Sequence, residues 1–279
     1  MKILHTADWH LGQTFYEYDR REEHLHFLEW LKQQIRQHEI DVLLIAGDVF
    51  DSPNPSAESQ RVYYRFLREV TSENPSLQIV IIAGNHDSAA RLEAPNPLLE
   101  DMNIIVRGTV RRNAEGDIDL QYFIVPLYTE GKVTAYCLAV PYLRQGDYPS
   151  AENYSKGVQQ LNEQLFNKVK EKGIPVVAMG HLQATGSEIS EDDRSERTVI
   201  GGLECVSPDA FNEAITYTAL GHLHRSQRVS HRENVRYSGT PMPMSFAEKN
   251  NASGVVMITI DTEGTNIEKL EFQPLASLV

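Results

Sequence analysis

Short, continuous apolar runs recur along the chain, separated by stretches with helical periodicity. Val42-Leu43-Leu44-Ile45-Ala46 and Ile79-Val80-Ile81-Ile82-Ala83 are rich in β-branched residues and do not alternate with polar ones. That pattern predicts strands buried on both faces. Before the first of them, Phe27, Leu28, Leu31 and Ile35 follow helical spacing, and Asp19-x-x-Glu22 resembles a capping box. A second helix is predicted from Asn54-Pro55, with Val62, Phe66 and Val70 on one face.

The middle of the chain changes character. Ile104–Val106, Gln121–Val125 and Ala135–Val140 read as strands, with a turn at Asn113-Ala114-Glu115-Gly116. A helix is expected near 151–172, a buried strand at Val176–Met179 and an exposed acidic loop at 184–198. Further strands are predicted at 215–220, 234–238, 254–260 and 267–273. A β-α-β first half and a more antiparallel second half predict a layered α/β sandwich of two sheets.

The strand ends carry the candidate chemistry. Val42–Ala46 runs into Gly47-Asp48, and Ile79–Ala83 into Gly84-Asn85-His86-Asp87. Val176–Met179 runs into Gly180-His181, Tyr217–Leu220 into Gly221-His222-Leu223-His224, and the first strand into Asp8-Trp9-His10. In α/β sheets, ligands bind beyond the carboxyl ends of strands. The residues delivered are Asp, Asn and His, an oxygen and nitrogen donor set without thiolate, which suits Mn²⁺, Fe²⁺ or Zn²⁺. Six or seven donors are too many for one tetrahedral zinc and about right for two cations sharing a carboxylate. Taken singly, each is more often a turn residue or a satisfied polar group; the argument rests on all five segments together. His24, His26, His38 and His231 read as helical or loop surface, and His5 as a buried strand residue.

Composition narrows the picture. With 279 residues, 41% of them hydrophobic, the chain can bury a sizeable core. Its net charge of −13 argues against a protein that grips nucleic acid by bulk electrostatics. Cys137 and Cys205 make neither a disulfide framework nor a CxxC site and are expected as buried thiols. No apolar run approaches the roughly 20 residues that span a bilayer. Met1-Lys2-Ile3-Leu4 leads into a strand, not a signal peptide. A soluble intracellular protein is expected.

The combined pattern DxH, GD, GNHD, GH and GHxH resembles that of the calcineurin-like metallophosphoesterases. Lys2–Gly12, Ala46–Asp51, Ala83–Ser88, Ala219–Arg225, Val235–Pro241 and Ser245-Phe246 are similar to the SbcD branch, the nuclease subunits of SbcCD complexes. The resemblance implies a four-layer αββα sandwich of two mixed β-sheets and a phosphoesterase domain over residues 1–275. A capping domain, absent from this chain, would begin at 276–279. It implies two divalent ions, typically Mn²⁺, with Asp8, His10 and His224 on one, Asn85, His181 and His222 on the other, and Asp48 bridging. His86 would act on the scissile phosphate or leaving oxygen, with Asp87 orienting it; Asp51 stands where some relatives carry a histidine. The activity implied is a double-strand exonuclease and single-strand endonuclease in DNA repair and recombination. The implied partners are DNA, an SbcC-like ATPase and a second nuclease copy docked through the helices after Asp48. The implied location is the cytoplasm, at the nucleoid. Arg20, Arg21 and Arg91 are candidate phosphate contacts. The rival on the same fold is a phosphomonoesterase or cyclic-nucleotide phosphodiesterase; a non-catalytic scaffold would have lost some of these side chains.

Overall fold

A computed structural model describes residues 1–187 and 205–275. The predicted buried strands have apolar neighbours on both sides. In Val42–Ala46, Leu43 and Ile45 face one core while Val42, Leu44 and Ala46 face another. Burial on both faces is why the run shows no alternation.

The chain runs β1 (Lys2–Thr6), a small hairpin of β2 (Thr14–Phe15) and β3 (Tyr18–Asp19), α1 (Arg21–His38), β4 (Val42–Ala46), α2 (Ala57–Glu73) and β5 (Gln78–Ile82). It continues through the short helices α3 (Ala89–Glu93) and α4 (Asn96–Leu99) to β6 (Ile104–Arg107), β7 (Ile124–Thr129) and β8 (Lys132–Ala139). Then come α5 (Tyr154–Val169), β9 (Val176–His181), β10 (Tyr217–Gly221), β11 (Gln227–Val229), β12 (Arg232–Tyr237), β13 (Gly254–Asp261) and β14 (Gly264–Glu271). One sheet has the order β14-β13-β1-β4-β5-β6, the other β11-β12-β10-β9-β8-β7. Ile3, Leu44, Val80, Cys137, Val177, Met179 and Ala219 fill the layer between them. Phe27, Leu31 and Phe66 of α1 and α2 cover the outer face of the first sheet; Leu161 and Leu165 of α5 cover the second. The result is the expected αββα sandwich of two mixed sheets.

Several details differ from the sequence pattern. The second sheet is not mainly antiparallel: β8, β9, β10 and β12 run parallel, flanked by antiparallel β7 and β11. Gln121–Phe123 lies in a 3-10 turn, where the Asp119 carboxylate accepts from the Gln121 N–H. At α2 the cap is Ser56, whose hydroxyl accepts from Ser59 N at 3.0 Å, so the helix starts after Pro55. At α1, Asp19 accepts from Arg21 N, one position short of a standard capping box. Cys137 is buried, but Cys205 is only partly so. The acidic loop expected at 184–198 falls mostly outside the described residues, as does the cap expected from 276. Among the described residues no helix is long and apolar enough to cross a membrane.

The edge of the first sheet is closed by a side chain. Asn96 donates to Val106 O at 2.9 Å and accepts from Val106 N at 3.0 Å, occupying the outward ladder groups of β6. Glu93 does the same one step on, accepting from the N–H groups of Gly108 and Thr109. An uncovered strand edge is a template for association. Asn96→Ala strands a buried peptide donor and acceptor, and should cost about 2 kcal/mol in urea denaturation.

Candidate metal centre

The carboxyl ends of β1, β4 and β5 in one sheet meet those of β9 and β10 in the other, bringing the five segments together. Asp8 N donates to Gly47 O and His10 N to Asp48 O, both at 3.0 Å, so the loops after β1 and β4 interlock. Trp9, between the two candidate ligands, is buried edge-on against Phe27 and Phe66. Asp8, His10, Asp48 and His222 all have positive φ, at 54°, 46°, 49° and 102°. Such backbone costs of order 1 kcal/mol or more per residue, and recurs where geometry serves a site. The glycines before the ligands allow close approach. A Cβ on Gly84 would run into the Asp48 carboxylate, and one on Gly221 into the Ala46 carbonyl.

The donor atoms converge about Asp48, with Asp8, Asp48 and His181 close enough together to hold one ion. Asp48 Oδ2 lies 3.2 Å from His181 Nε2 and 3.8 Å from His10 Nε2, while its Oδ1 accepts from His86 N at 2.9 Å. Asn85 Oδ1 stands 3.0 Å from both His181 Nε2 and His222 Nδ1. Asp8 Oδ1 accepts from His222 N at 2.9 Å. The His10 and His224 rings are 5.2 Å apart, and those of His181 and His222 5.3 Å. Asp8 Oδ2 and His10 Nε2 are buried without a hydrogen-bond partner. Buried polar atoms left unpaired are costly and uncommon, so a cation that uses their lone pairs fits this donor set.

The electrostatics are set by burial and by the pairing of carboxylates with imidazoles. Burial pushes the Asp8 carboxyl above the usual range, though His181 and His224 oppose it. Burial also opposes ionisation of Asp48, but the facing His181 and His10 hold it well below the usual range. His181 loses by burial and gains more from Asp48 and Asp8, ending at about 9. Burial and the His181 charge pull His222 down to about 3.

His86 and Asp87 part company. The half-buried His86 donates from Nδ1 to Asp51 O at 3.0 Å, and its ring lies 4.8 Å from that of His10. The partner of His86 Nδ1 is the Asp51 carbonyl, not the Asp87 carboxylate expected to orient the ring. The chain turns between them, and the Asp87 carboxylate accepts from the N–H groups of Gly84 at 2.9 Å, Phe50 at 3.0 Å and Val49 at 3.2 Å. It staples the loops after β4 and β5 together. Burial and the charge of Asp48 push it up to about 6 despite those three donors.

Other side chains also differ from the sequence reading. His24 is buried, not superficial, with Nε2 3.0 Å from Trp9 O. His5, by contrast, is the buried strand residue expected, with Nδ1 2.8 Å from the Tyr217 hydroxyl. Arg20 is buried and bound to Glu23, Gln13 and Pro243 O, so it is not a phosphate contact; Arg21 pairs with Glu58 at 3.2 Å, and Arg91 is exposed. Glu248 escapes a reading of the sequence, and Asp51, noted there but given no role, also reaches the centre. Glu248 Oε1 accepts from His224 Nδ1 at 2.9 Å, and Asp51 Oδ1 lies 3.3 Å from His10 Nδ1. The one signal for Glu248 is its isolation: no charged residue precedes it back to Arg236.

The profile of the calcineurin-like phosphoesterases matches residues 1–226. The chain is 41% identical over 93% of its length to the SbcD component of the SbcCD nuclease from Rhodobacter capsulatus, and 32% identical over its whole length to the protein of the same name in Escherichia coli K12. It spans about two thirds of the length of these relatives, 66% and 70%. Among solved structures, a dimetal phosphatase from Danio rerio shares the fold at 13% identity and a TM-score of 0.50, over 97% of this chain and 98% of that one.

Because His181 is pulled up to about 9, it carries a second proton at pH 7, which any cation bound at that nitrogen would have to displace. Mn²⁺ titrations from pH 8 down to pH 6 should weaken by about tenfold per unit for each proton lost, with proton release visible in calorimetry across buffers. On the profile match and the shared identity, the chain belongs to the calcineurin-like phosphoesterase family, in the branch of the SbcD nucleases.

Proposed function

We propose that this chain is the nuclease core of an SbcCD-type assembly and hydrolyses phosphodiester bonds in DNA with two divalent cations, manganese being the working ion. The observation that carries the reading is Asp48 Oδ2 lying between His181 Nε2 and His10 Nε2. Asp8, His10 and His224 would hold one cation and Asn85, His181 and His222 the other, with Asp48 shared. Bound there, the pair would supply Lewis acidity that activates water near neutral pH and offsets charge on the phosphate.

The chain's own groups do the rest. His86, with Nδ1–H held on Asp51 O, directs Nε2 to the substrate, and as the imidazolium it would give its Nε2 proton to the leaving oxygen, or stabilise the charge there, becoming the neutral Nδ1–H ring. Asp87 fixes the two loops that carry Asp48 and Asn85, which makes it a positioning residue.

An aromatic rim supports a nucleic-acid substrate over a small phosphomonoester. Tyr16 is 80% exposed, and Phe246, 48% exposed, lies 5.6 Å from it. Phe15 contacts both rings. Phe246 is two residues from Glu248, which touches His224, so the rim borders the centre. Bases stack on such surfaces whatever their sequence, and that contribution does not itself depend on the net charge of −13. By analogy with its relatives, the chain works with an SbcC-like ATPase and a second nuclease copy docked through α2 and its neighbours, in the cytoplasm at the nucleoid. Residues 1–275 form the phosphoesterase domain in this reading, and a cap follows from 276.

With Mn²⁺, the purified chain should degrade linear duplex DNA, and EDTA should stop it. His86→Ala should lower turnover by about 10²- to 10⁴-fold while Mn²⁺ binding persists. Replacing Tyr16 and Phe246 together by Ala should raise KM for single-stranded DNA and leave hydrolysis of bis(p-nitrophenyl) phosphate unchanged. Efficient phosphomonoester turnover with intact DNA would put the rival phosphatase in its place.

A further inference from the structure

The two halves of the centre are backed by different chemistry. Behind the Asp8–His10–His224 half stand two more carboxylates. His224 Nδ1–H donates to Glu248 Oε1 at 2.9 Å, and His10 Nδ1 lies 3.3 Å from Asp51 Oδ1. Glu248 is itself fixed: its side chain is 3% exposed, and Oε2 accepts from Met244 N at 2.8 Å. Behind the other half, His181 Nδ1 donates to a neutral acceptor, the Ala46 carbonyl, at 2.8 Å. Its remaining donors, Asn85 and His222, carry no negative charge. Asp48 is common to both halves.

A carboxylate on the far nitrogen of an imidazole fixes its tautomer and makes the near nitrogen a stronger donor. It also adds negative charge close to the cation. Asp8 Oδ1 also lies 3.9 Å from His181 Nδ1, but that nitrogen's hydrogen bond goes to Ala46 O; the carboxylates placed on a far nitrogen without being candidate ligands themselves, Glu248 and Asp51, both back the Asp8–His10–His224 half. We propose that Glu248 and Asp51 are positioning residues that make the Asp8–His10–His224 half the tight site, so that the cations load in order, that half first. The inference rests on the reading that both halves hold a cation. Glu248, buried, carries the larger share; Asp51, with its side chain 38% exposed, is screened by solvent.

The test is a titration of the full chain with Mn²⁺, read by the electron paramagnetic resonance of the free ion. Two classes of site are expected. Glu248→Gln should weaken the tighter class by about ten- to a hundredfold and leave the weaker class in place. Asp51→Asn should weaken the same class by less. Asn85→Ala should weaken only the other. Melting in EDTA checks that each variant folds; if Glu248→Gln does not, Asp51→Asn decides the matter. Two equivalent sites in the unaltered chain, or a Glu248→Gln effect on the weaker class or on neither, would overturn the loading order while leaving the two-metal reading intact. No Mn²⁺ binding at all would overturn both.

Discussion

Asp8, His10, Asp48 and His181 are buried almost completely and face one another, and the rest of the molecule holds that arrangement in place. Asp8 Oδ2 and His10 Nε2 are buried without a hydrogen-bond partner in the protein, an arrangement that costs stability. The scaffold resists relaxation in three ways. Interlocked backbone bonds tie the loop after β1 to the loop after β4. The buried Trp9 pins the turn between Asp8 and His10. Asp87 gathers three peptide donors beneath Asp48.

Much of this is legible in the sequence because burial on both faces writes itself as unbroken apolar runs. Val42–Ala46 and Val176–Met179 can be read as strands, and the polar residues just beyond them as a site, before any contact is known. What is not legible depends on where the chain turns. Asp87 and His86 are adjacent in sequence yet serve different elements, since only one carboxylate can reach the donors of Val49, Phe50 and Gly84. Arg20 reads as a free cation and is a buried clamp on Glu23 and Pro243. His24 reads as helix surface and supports Trp9. Glu248 lies 24 residues after His224, with no periodicity to join them.

The acidic balance and the aromatic rim belong together. A chain of net charge −13 cannot hold a polyanion by long-range attraction. In the proposed reading it would hold one through bound cations and through stacking on Phe15, Tyr16 and Phe246, which contact one another. Binding of that kind is local and short-ranged, which leaves length and direction along a strand to whatever guides the substrate in.

The left-handed backbone at Asp8, His10, Asp48 and His222 bears on how such a protein could evolve. Glycine adopts those angles freely and brings no buried charge, so each of these positions has a substitution that relieves strain while removing a donor. The relief is set against what each side chain holds: Asp8 and Asp48 accept from the His222 and His86 N–H groups, and Asp48 faces the His181 imidazole. Strain and pairing are therefore tied to the same residues, so a lineage cannot shed the one by substitution without losing the other.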